Sequence, residues 1–319
     1  MAGARARAGL AALVAALTLA GAAAPVGSFA RGTLEGRAYR VWIPAQPAAA
    51  RPLVVALHGC WQTPEDFALG TRLNEAAERR GLVVVYPAQS RRENPYRCWN
   101  WFEPAQQTAT GSETGQILAI ARRVQGERGL RERRVLVLGF SAGAFMAVNL
   151  TCAAPETVAG IGSLAGGPYR CADGSEAAIQ CMRGQSRDGA AAAAACAGGR
   201  GRDWRASLWH GALDPVVSPA NLTALETMFA RLLRADAGVT GTEAGAVHAV
   251  YRDARGGPVL ETWLVRGMGH AWSGGDPRGT HTWPPGPPAT ERMLEFLLSG
   301  GPRHGPPRPP DARTAPAQP

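Results

Sequence analysis

The stretch VLVLGFSAGAFMA, from Val135 to Ala147, decides the fold. It opens with branched apolar residues, which are typical of a strand buried on both faces of a parallel sheet. A helical pattern follows, and between the two stands Gly139-Phe140-Ser141-Ala142-Gly143. This G-x-S-x-G pattern, placed between a strand and a helix, is typical of a sharp turn that exposes its serine. The sequence therefore predicts a reactive Ser141 at a helix N-terminus, where developing negative charge is favoured; the alternative is a glycine-rich turn without chemistry.

Strands and helices alternate along the chain on either side of that turn. Strands are predicted at 37–44, 52–59, 82–87, 133–139, 157–166 and 203–211, and as a later pair at 246–253 and 259–265. Helices are predicted at 64–81, 112–129, 142–154, 219–235 and 289–300. Between 168 and 202 the pattern fades into an excursion with short helices. This alternation predicts an α/β fold in one domain, 31–300, with a mostly parallel central sheet and helices on both faces.

The first thirty residues have the features of an export signal. A short basic segment precedes the alanine-rich apolar run Gly9–Ala24, and small residues follow it. We therefore expect a signal peptide over 1–30, with Ala20-Gly21-Ala22 and Ser28-Phe29-Ala30 as cleavage candidates. The alternative, a lone membrane anchor, is disfavoured because the run is shorter than the ~20 apolar residues that a span needs. The protein is thus expected outside the cell or in the periplasm.

The composition limits the kinds of partner that the protein is expected to bind. The net charge is +9, yet all 34 basic residues are arginine and no basic run or nucleic-acid motif occurs. We therefore expect no nucleic-acid or membrane partner, and a monomer or weak homo-oligomer. The segment 301–319 is rich in proline and polar residues, so it is expected to be disordered.

Cysteine usage agrees with export. The chain has six cysteines, at positions 60, 98, 152, 171, 181 and 196. An even number in an oxidising compartment predicts disulfides, and six cysteines allow about 15 pairings. No pair has the spacing of a zinc site with histidines nearby, so no metal is expected. Reduced, buried cysteines are the alternative.

A serine hydroxyl needs a base, and two later loops supply candidates. Asp214 lies just past the predicted strand 203–211, and His270 follows the last apolar strand. The order Ser141, Asp214, His270 is the one that a strand-turn-helix serine requires. His270 would take the serine proton and Asp214 would orient the imidazole. His281 is a weaker alternative for the base.

Two backbone amides are candidates for binding the oxyanion. The segment LHGCWQ, 57–62, follows the first central strand, so the Cys60 amide and the Ala142 amide are expected to face the reacting carbonyl. Cys98 is then our leading partner for Cys60 in a disulfide. Neighbouring tryptophans are expected to line a substrate cleft: Trp61, Trp99, Trp101 and Trp272. The alternative is that they simply pack the loops.

Seven segments together resemble the polyhydroxybutyrate depolymerase-like esterases, a branch of the α/β-hydrolase superfamily that lies beside secreted feruloyl and acetylxylan esterases. The segments are LHGCWQTPEDFA, YPAQS, CWNWF, GFSAGAFMA, GGPYRCA, WHGALDPVV and GMGHAWSGG. The resemblance covers 37–298 and implies an α/β-hydrolase fold. It implies a triad on Ser141, Asp214 and His270, and hydrolysis through an acyl-enzyme without metal or organic cofactor.

Three functions follow as hypotheses. The first is a secreted serine esterase for short 3-hydroxybutyrate-type esters. Many extracellular depolymerases carry a polymer-binding domain after the catalytic one, whereas this chain continues only into 301–319, which favours soluble oligomers over solid polymer. The second is a feruloyl or acetylxylan esterase. The third is a binding protein that kept the fold and lost the chemistry, which the complete triad disfavours.

Overall fold

A computed structural model describes residues 26–132, 134–185, 188–196, 203–236 and 238–299. The deciding stretch folds as predicted: strand β5 (Val135–Phe140) runs into Ser141, and helix α4 (Ala142–Ala153) begins at the next residue. The expected signal segment up to residue 25 and the tail from residue 300 lie outside the described residues. None of the described helices is long and apolar enough to cross a membrane.

One large sheet organises the described residues. Its ten strands are β1 (Ser28–Leu34), β2 (Arg37–Ile43), β3 (Leu53–Leu57), β4 (Val84–Pro87), β5, β6 (Val158–Leu164), β7 (Arg205–Gly211), β8 (Thr240–Glu243), β9 (Ala246–Arg252) and β10 (Pro258–Val265). Across the sheet they follow the order β1-β2-β4-β3-β5-β6-β7-β10-β9-β8. The six central strands from β4 to β10 are parallel, and antiparallel strands complete both edges. A short parallel pair, β11 (Trp272–Ser273) and β12 (Thr282–Trp283), lies apart.

Helices cover both faces of this sheet. They are α1 (Pro64–Thr71), α2 (Leu73–Arg80), α3 (Ser112–Glu127), α4, α5 (Ser175–Met182), α6 (Gly189–Ala195), α7 (Ala220–Leu233) and α8 (Ala289–Leu298), with a 3-10 turn at Pro104–Gln107. Side chains of α3 to α7 enter one core, and those of α1, α2 and α8 enter the other. Strand β3 serves both: Leu53, Val55 and Leu57 point into the first core, while Val54 and Ala56 point into the second. This two-sided burial explains the continuous apolar runs. The predicted fold class is confirmed.

The predicted helix 64–81 is two helices. Arg72 has a positive φ of 55° and separates α1 from α2. The break frees the Thr71 carbonyl from helix hydrogen bonding, and it accepts a hydrogen bond from Thr290 Oγ1 at 2.6 Å instead. The start of α8 is thereby tied to the end of α1, a tertiary contact that helical periodicity alone does not reveal.

Strand β1 extends into the expected signal segment. It begins at Ser28 and pairs with β2 along its whole length. The Phe29 ring packs edge-on against Tyr86 at 5.5 Å. Cleavage after Ala30 would remove part of this paired strand, whereas cleavage after Ala22 leaves it intact.

Three disulfides link the six cysteines. The predicted pair Cys60–Cys98 is present, joining the loop after β3 to the long loop after β4. Cys152–Cys196 ties the end of α4 to the end of α6, and Cys171–Cys181 lies inside that loop. The excursion between β6 and β7 is therefore covalently fastened to the helix that follows Ser141.

Candidate active site

Ser141 occupies a strained turn that only small neighbours allow. Its φ of 54° and ψ of −124° lie in a region that residues with a side chain seldom adopt. A Cβ on Gly139 would lie 2.2 Å from the Gly143 carbonyl oxygen, and one on Gly143 would lie 2.1 Å from the Leu57 carbonyl oxygen. Both glycines of the pattern are thus required for β3, β5 and α4 to approach this closely. The turn leaves Ser141 at the carboxyl edge of the sheet.

Two loops at the same edge bring a histidine and an aspartate to that serine. His270 Nε2 lies 2.9 Å from Ser141 Oγ, and His270 Nδ1 lies 2.8 Å from Asp214 Oδ2. Asp214 follows β7, and His270 follows the neighbouring strand β10. Ser141 and Asp214 are 73 residues apart in the chain, and Asp214 and His270 are 56 residues apart, by subtraction of their numbers. They form one hydrogen-bonded row because adjacent parallel strands end at the same edge of the sheet.

The Asp214 carboxylate is fixed and kept ionised. Its Oδ1 accepts hydrogen bonds from the backbone amides of Val216 and Val217 at 2.8 and 2.9 Å. Burial would raise the pKa of Asp214, but the hydrogen bond and charge of His270 and these two amides hold it below its usual value. A carboxylate held in this way fixes the orientation and tautomer of the imidazole.

A second histidine lies beneath the row. His210 is fully buried, and its Nε2 lies 2.9 Å from the Val217 carbonyl oxygen and 3.5 Å from Asp214 Oδ2. Burial lowers the pKa of His210, so the ring is neutral at pH 7. Its Nδ1 has no hydrogen-bond partner within the described residues. His210 is therefore a neutral, buried neighbour of the Asp214 carboxylate and not a member of the row.

His58 determines the direction of the peptide that precedes Cys60. The backbone amide of Gln89 donates to His58 Nε2 at 3.1 Å, so the ring proton is on Nδ1, which donates to the Gly59 carbonyl at 2.8 Å. Burial lowers the pKa of His58 to about 4, which keeps this tautomer neutral. The peptide bonds of the described residues are trans, so the Cys60 N–H points away from the Gly59 carbonyl.

The Cys60 and Ala142 amides remain available to a ligand. Neither donates a backbone hydrogen bond within the described residues. Cys60 lies in a loop that is held from several sides. Gln62 Oε1 accepts from the Gly59 amide at 2.9 Å, the Trp61 amide donates to the Tyr96 carbonyl at 2.7 Å, and the Cys60–Cys98 disulfide closes the loop.

A cleft of about 410 Å³ opens beside Ser141. Its lining is mostly apolar and comprises Cys60, Trp61, Tyr96, Cys98, Phe140, Ser141, Met182, Val216, His270 and His281. Trp61 and Tyr96 are exposed at the mouth, with ring centroids 5.0 Å apart. The size and apolar lining suit a small organic ligand.

Three of the four tryptophans expected in the cleft are buried elsewhere, which corrects that expectation. Trp99 is fully buried and donates from Nε1 to the His58 carbonyl at 3.1 Å. Trp101 stacks on Phe145 of α4 at 3.9 Å. Trp272 donates from Nε1 to Thr290 Oγ1 at 3.0 Å. These three indoles pack in the interior, and of the four expected tryptophans Trp61 alone lines the cleft.

Several lining residues escaped the sequence reasoning. Phe140 and Val216 flank Ser141 and Asp214 in the chain, so proximity to the candidate site was a usable signal. Met182 comes from α5 in the excursion, where no pattern pointed to it. His281, considered only as an alternative base, lines the cleft beside His270. Among the described residues no group of three His, Cys, Asp or Glu side chains could hold a metal ion.

The sheet order, the strained turn and the hydrogen-bonded row define an α/β-hydrolase fold. Among solved structures, an acetyl xylan esterase from Aspergillus awamori is similar in fold. It superposes with a TM-score of 0.69 at 19% identity, over 86% of this chain and 100% of that one.

Sequence comparison gives the family. The profile of the family Esterase PHB depolymerase matches residues 37–249, and the chain belongs to this family. A Poly(3-hydroxyalkanoate) depolymerase C from Paucimonas lemoignei is 35% identical over 72% of this chain, which spans 56% of that relative. A Feruloyl esterase B from Talaromyces funiculosus is 25% identical over 72% of this chain and 68% of that protein.

Proposed function

We propose that this chain is a secreted serine esterase that hydrolyses short 3-hydroxybutyrate-type esters through an acyl-enzyme on Ser141. The observation that carries the chemistry is the continuous row Ser141–His270–Asp214, with distances of 2.9 and 2.8 Å. The row lies at the wall of an apolar cleft. Export is supported by the signal-like N-terminus and by three disulfides, which form in oxidising compartments.

Acylation begins when His270 Nε2 takes the proton of Ser141 Oγ, which attacks the ester carbonyl. The carbonyl oxygen becomes an oxyanion that accepts hydrogen bonds from the Cys60 and Ala142 amides. The tetrahedral intermediate collapses, the bond to the alcohol oxygen breaks, and His270 returns its proton to that oxygen. Asp214 stabilises the imidazolium throughout.

Deacylation repeats these steps with water. His270 takes a proton from water, the hydroxide attacks the acyl carbon, and Ser141 leaves with the proton from His270. The net reaction consumes one water and yields one acid and one alcohol, so the residues of this chain complete the cycle themselves.

The substrate class is supported by the cleft and by the relatives. About 410 Å³ accommodates a few carbons on either side of an ester, and the lining offers mainly apolar contacts. Of the two relatives, the one with the higher identity is named a poly(3-hydroxyalkanoate) depolymerase. Trp61 and Tyr96 line the cleft and are exposed to solvent, so a longer substrate chain would rest on their rings.

A feruloyl or acetylxylan esterase is the second candidate. The exposed pair of Trp61 and Tyr96 also suits an aromatic acyl group or the apolar face of a sugar. Relatives and the fold neighbour bear those names.

The test is a comparison of rates. The mature chain is assayed for acid release from soluble 3-hydroxybutyrate oligomers, an amorphous polymer film, methyl ferulate and acetylated xylan, with Ser141→Ala as the blank. Faster release from the oligomers or the film, absent in the variant, is expected. Faster release from ferulate or xylan would move the assignment to the second candidate, and release that persists in Ser141→Ala would defeat the mechanism.

A further inference from the structure

His281 is a second histidine in the wall of the cleft. Its ring centroid lies 6.2 Å from that of His270 and 6.0 Å from that of Phe140. It is not part of the row, because His270 already uses its two ring nitrogens on Ser141 and Asp214. His281 takes no part in the proposed acylation and deacylation steps.

The backbone holds His281 in an unusual conformation. Its φ is 53°, in the left-handed region that non-glycine residues seldom occupy. On one side its carbonyl accepts from the Trp272 amide at 2.7 Å. On the other side, the amide of Thr280 donates to Asp66 Oδ1 at 2.9 Å, and Thr280 Oγ1 donates to Asp66 Oδ2. Strain of this kind, held by contacts on both sides, concentrates at functional sites.

The same segment packs so closely on α1 that it has little freedom to move. A Cβ added to Gly279 would lie 2.3 Å from Gly70 Cα. Gln62, which also accepts from the Gly59 amide, donates from Nε2 to the Thr280 carbonyl at 3.3 Å. The backbone that carries His281 is therefore linked through Gln62 to the loop that carries the Cys60 amide.

The chemistry of the ring follows from its surroundings. Desolvation and the nearby His270 lower the pKa of His281, while Asp66 and a hydrogen bond to the His270 backbone act in the opposite direction. The ring is neutral at pH 7, so it has one N–H donor and one acceptor nitrogen. The hydrogen bond to the His270 backbone uses the N–H, so the acceptor nitrogen of this cleft-lining ring is left for a ligand.

We propose that His281 accepts a hydrogen bond from a substrate hydroxyl close to the scissile ester and so favours hydroxylated esters. This inference rests on the esterase function proposed above. The hydroxyl can belong to the acyl group, as in a 3-hydroxybutyryl ester, or to the alcohol. In a cleft that is otherwise mostly apolar, such an acceptor gives a hydroxylated substrate an interaction that its methyl isostere lacks.

Two matched substrate pairs test the proposal. The acyl pair is p-nitrophenyl 3-hydroxybutyrate and p-nitrophenyl 3-methylbutyrate, and the alcohol pair is 2-hydroxyethyl butyrate and propyl butyrate. The ratio of kcat/KM within each pair is measured for wild type, His281→Phe and His281→Asn. Phenylalanine keeps a ring without nitrogen, and asparagine keeps an acceptor and tolerates positive φ.

In His281→Phe we expect the preference for the hydroxylated ester to fall about 3- to 10-fold in one pair, as for one lost neutral hydrogen bond. The rate on the hydroxylated ester should fall more than the rate on its methyl isostere, and the pair that responds identifies the side of the ester. His281→Asn should restore part of the preference. Tyr96→Phe, which removes a hydroxyl from the same cleft, should leave both ratios unchanged.

Equal loss on both members of each pair, or no change in either ratio, would overturn the role of His281. These outcomes are distinct from failure of the esterase assignment itself. In that case wild-type protein would turn over none of the four esters, and Ser141→Ala would make no difference.

Discussion

The Cys60–Cys98 disulfide should affect both stability and catalysis, whereas Cys152–Cys196 should affect stability alone. The two bonds close loops of similar size, with sequence separations of 38 and 44 residues. The chain-entropy relation gives about 4 kcal/mol of stability for each. Because folded domains have about 5–15 kcal/mol of stability, each double variant should still fold in the cold.

Their difference lies in what each bond holds. Cys60 supplies a proposed oxyanion amide, and both Cys60 and Cys98 line the cleft. Cys152 is at the far end of α4, three turns from Ser141. Loss of a whole oxyanion donor costs about 10²- to 10³-fold in kcat, so a loosened Cys60 amide should cost a substantial part of that.

The assay compares Cys60→Ala/Cys98→Ala with Cys152→Ala/Cys196→Ala. Urea unfolding gives the stability of each, and kcat on p-nitrophenyl butyrate is measured well below both melting temperatures. We expect similar losses of stability and a fall in kcat, with little change in KM, for the first variant only. Unchanged turnover in the first variant, or an equal fall in both, would refute the role given to the Cys60 loop.

Two further predictions concern the frame of the site. Burial lowers the pKa of His58 from 6.5 to about 4 in the folded chain. As the pH falls, His58 therefore takes up a proton in the unfolded chain first, which favours unfolding. Roughly 3 kcal/mol of the free energy of unfolding that is present above pH 6.5 is lost as the pH falls towards 4. Urea unfolding between pH 6.5 and pH 4 should show a smaller decline in stability for His58→Asn, which cannot take up the proton, than for wild type. An equal decline in the two proteins would contradict the role of His58. Gly143→Ala should lose activity and about 1–3 kcal/mol of stability, because its Cβ would lie 2.1 Å from the Leu57 carbonyl oxygen. Gly126→Ala in α3, whose Cβ meets nothing within 4 Å, should unfold at a higher temperature than wild type, and equal behaviour of the two variants would exclude the steric explanation.

The sequence predicted best what local pattern and fold topology jointly determine. The serine turn could be placed because strand, glycine spacing and helix coincide in one stretch. Asp214 and His270 could be paired with it because loops after neighbouring parallel strands must meet at one edge. The leading disulfide candidate, Cys60–Cys98, is also present.

What depends on the path of long loops was not predictable. Trp99 and Trp101 lie in the loop after β4, and only the folded loop shows that their rings turn inward. The break at Arg72 is accompanied by a hydrogen bond from Thr290 to the Thr71 carbonyl, between residues 219 positions apart in the chain. Strand β1 was not predicted because it adjoins the apolar N-terminal run that was assigned to a signal peptide. Strands β11 and β12 were not predicted because they have two residues each, which is too few for a pattern of alternation.

The disulfide topology also has a consequence for how the chain matures. A chain that meets oxidant from its N-terminus onward offers its cysteines in order, so Cys60 and Cys98 can pair before the next one emerges. The remaining four are nested, with Cys171–Cys181 enclosed by Cys152–Cys196. Pairing in order of emergence would join Cys152 to Cys171 and leave Cys181 for Cys196. The native arrangement therefore requires Cys152 to stay unpaired until Cys196 is available, or an isomerase to exchange the bonds that form earlier.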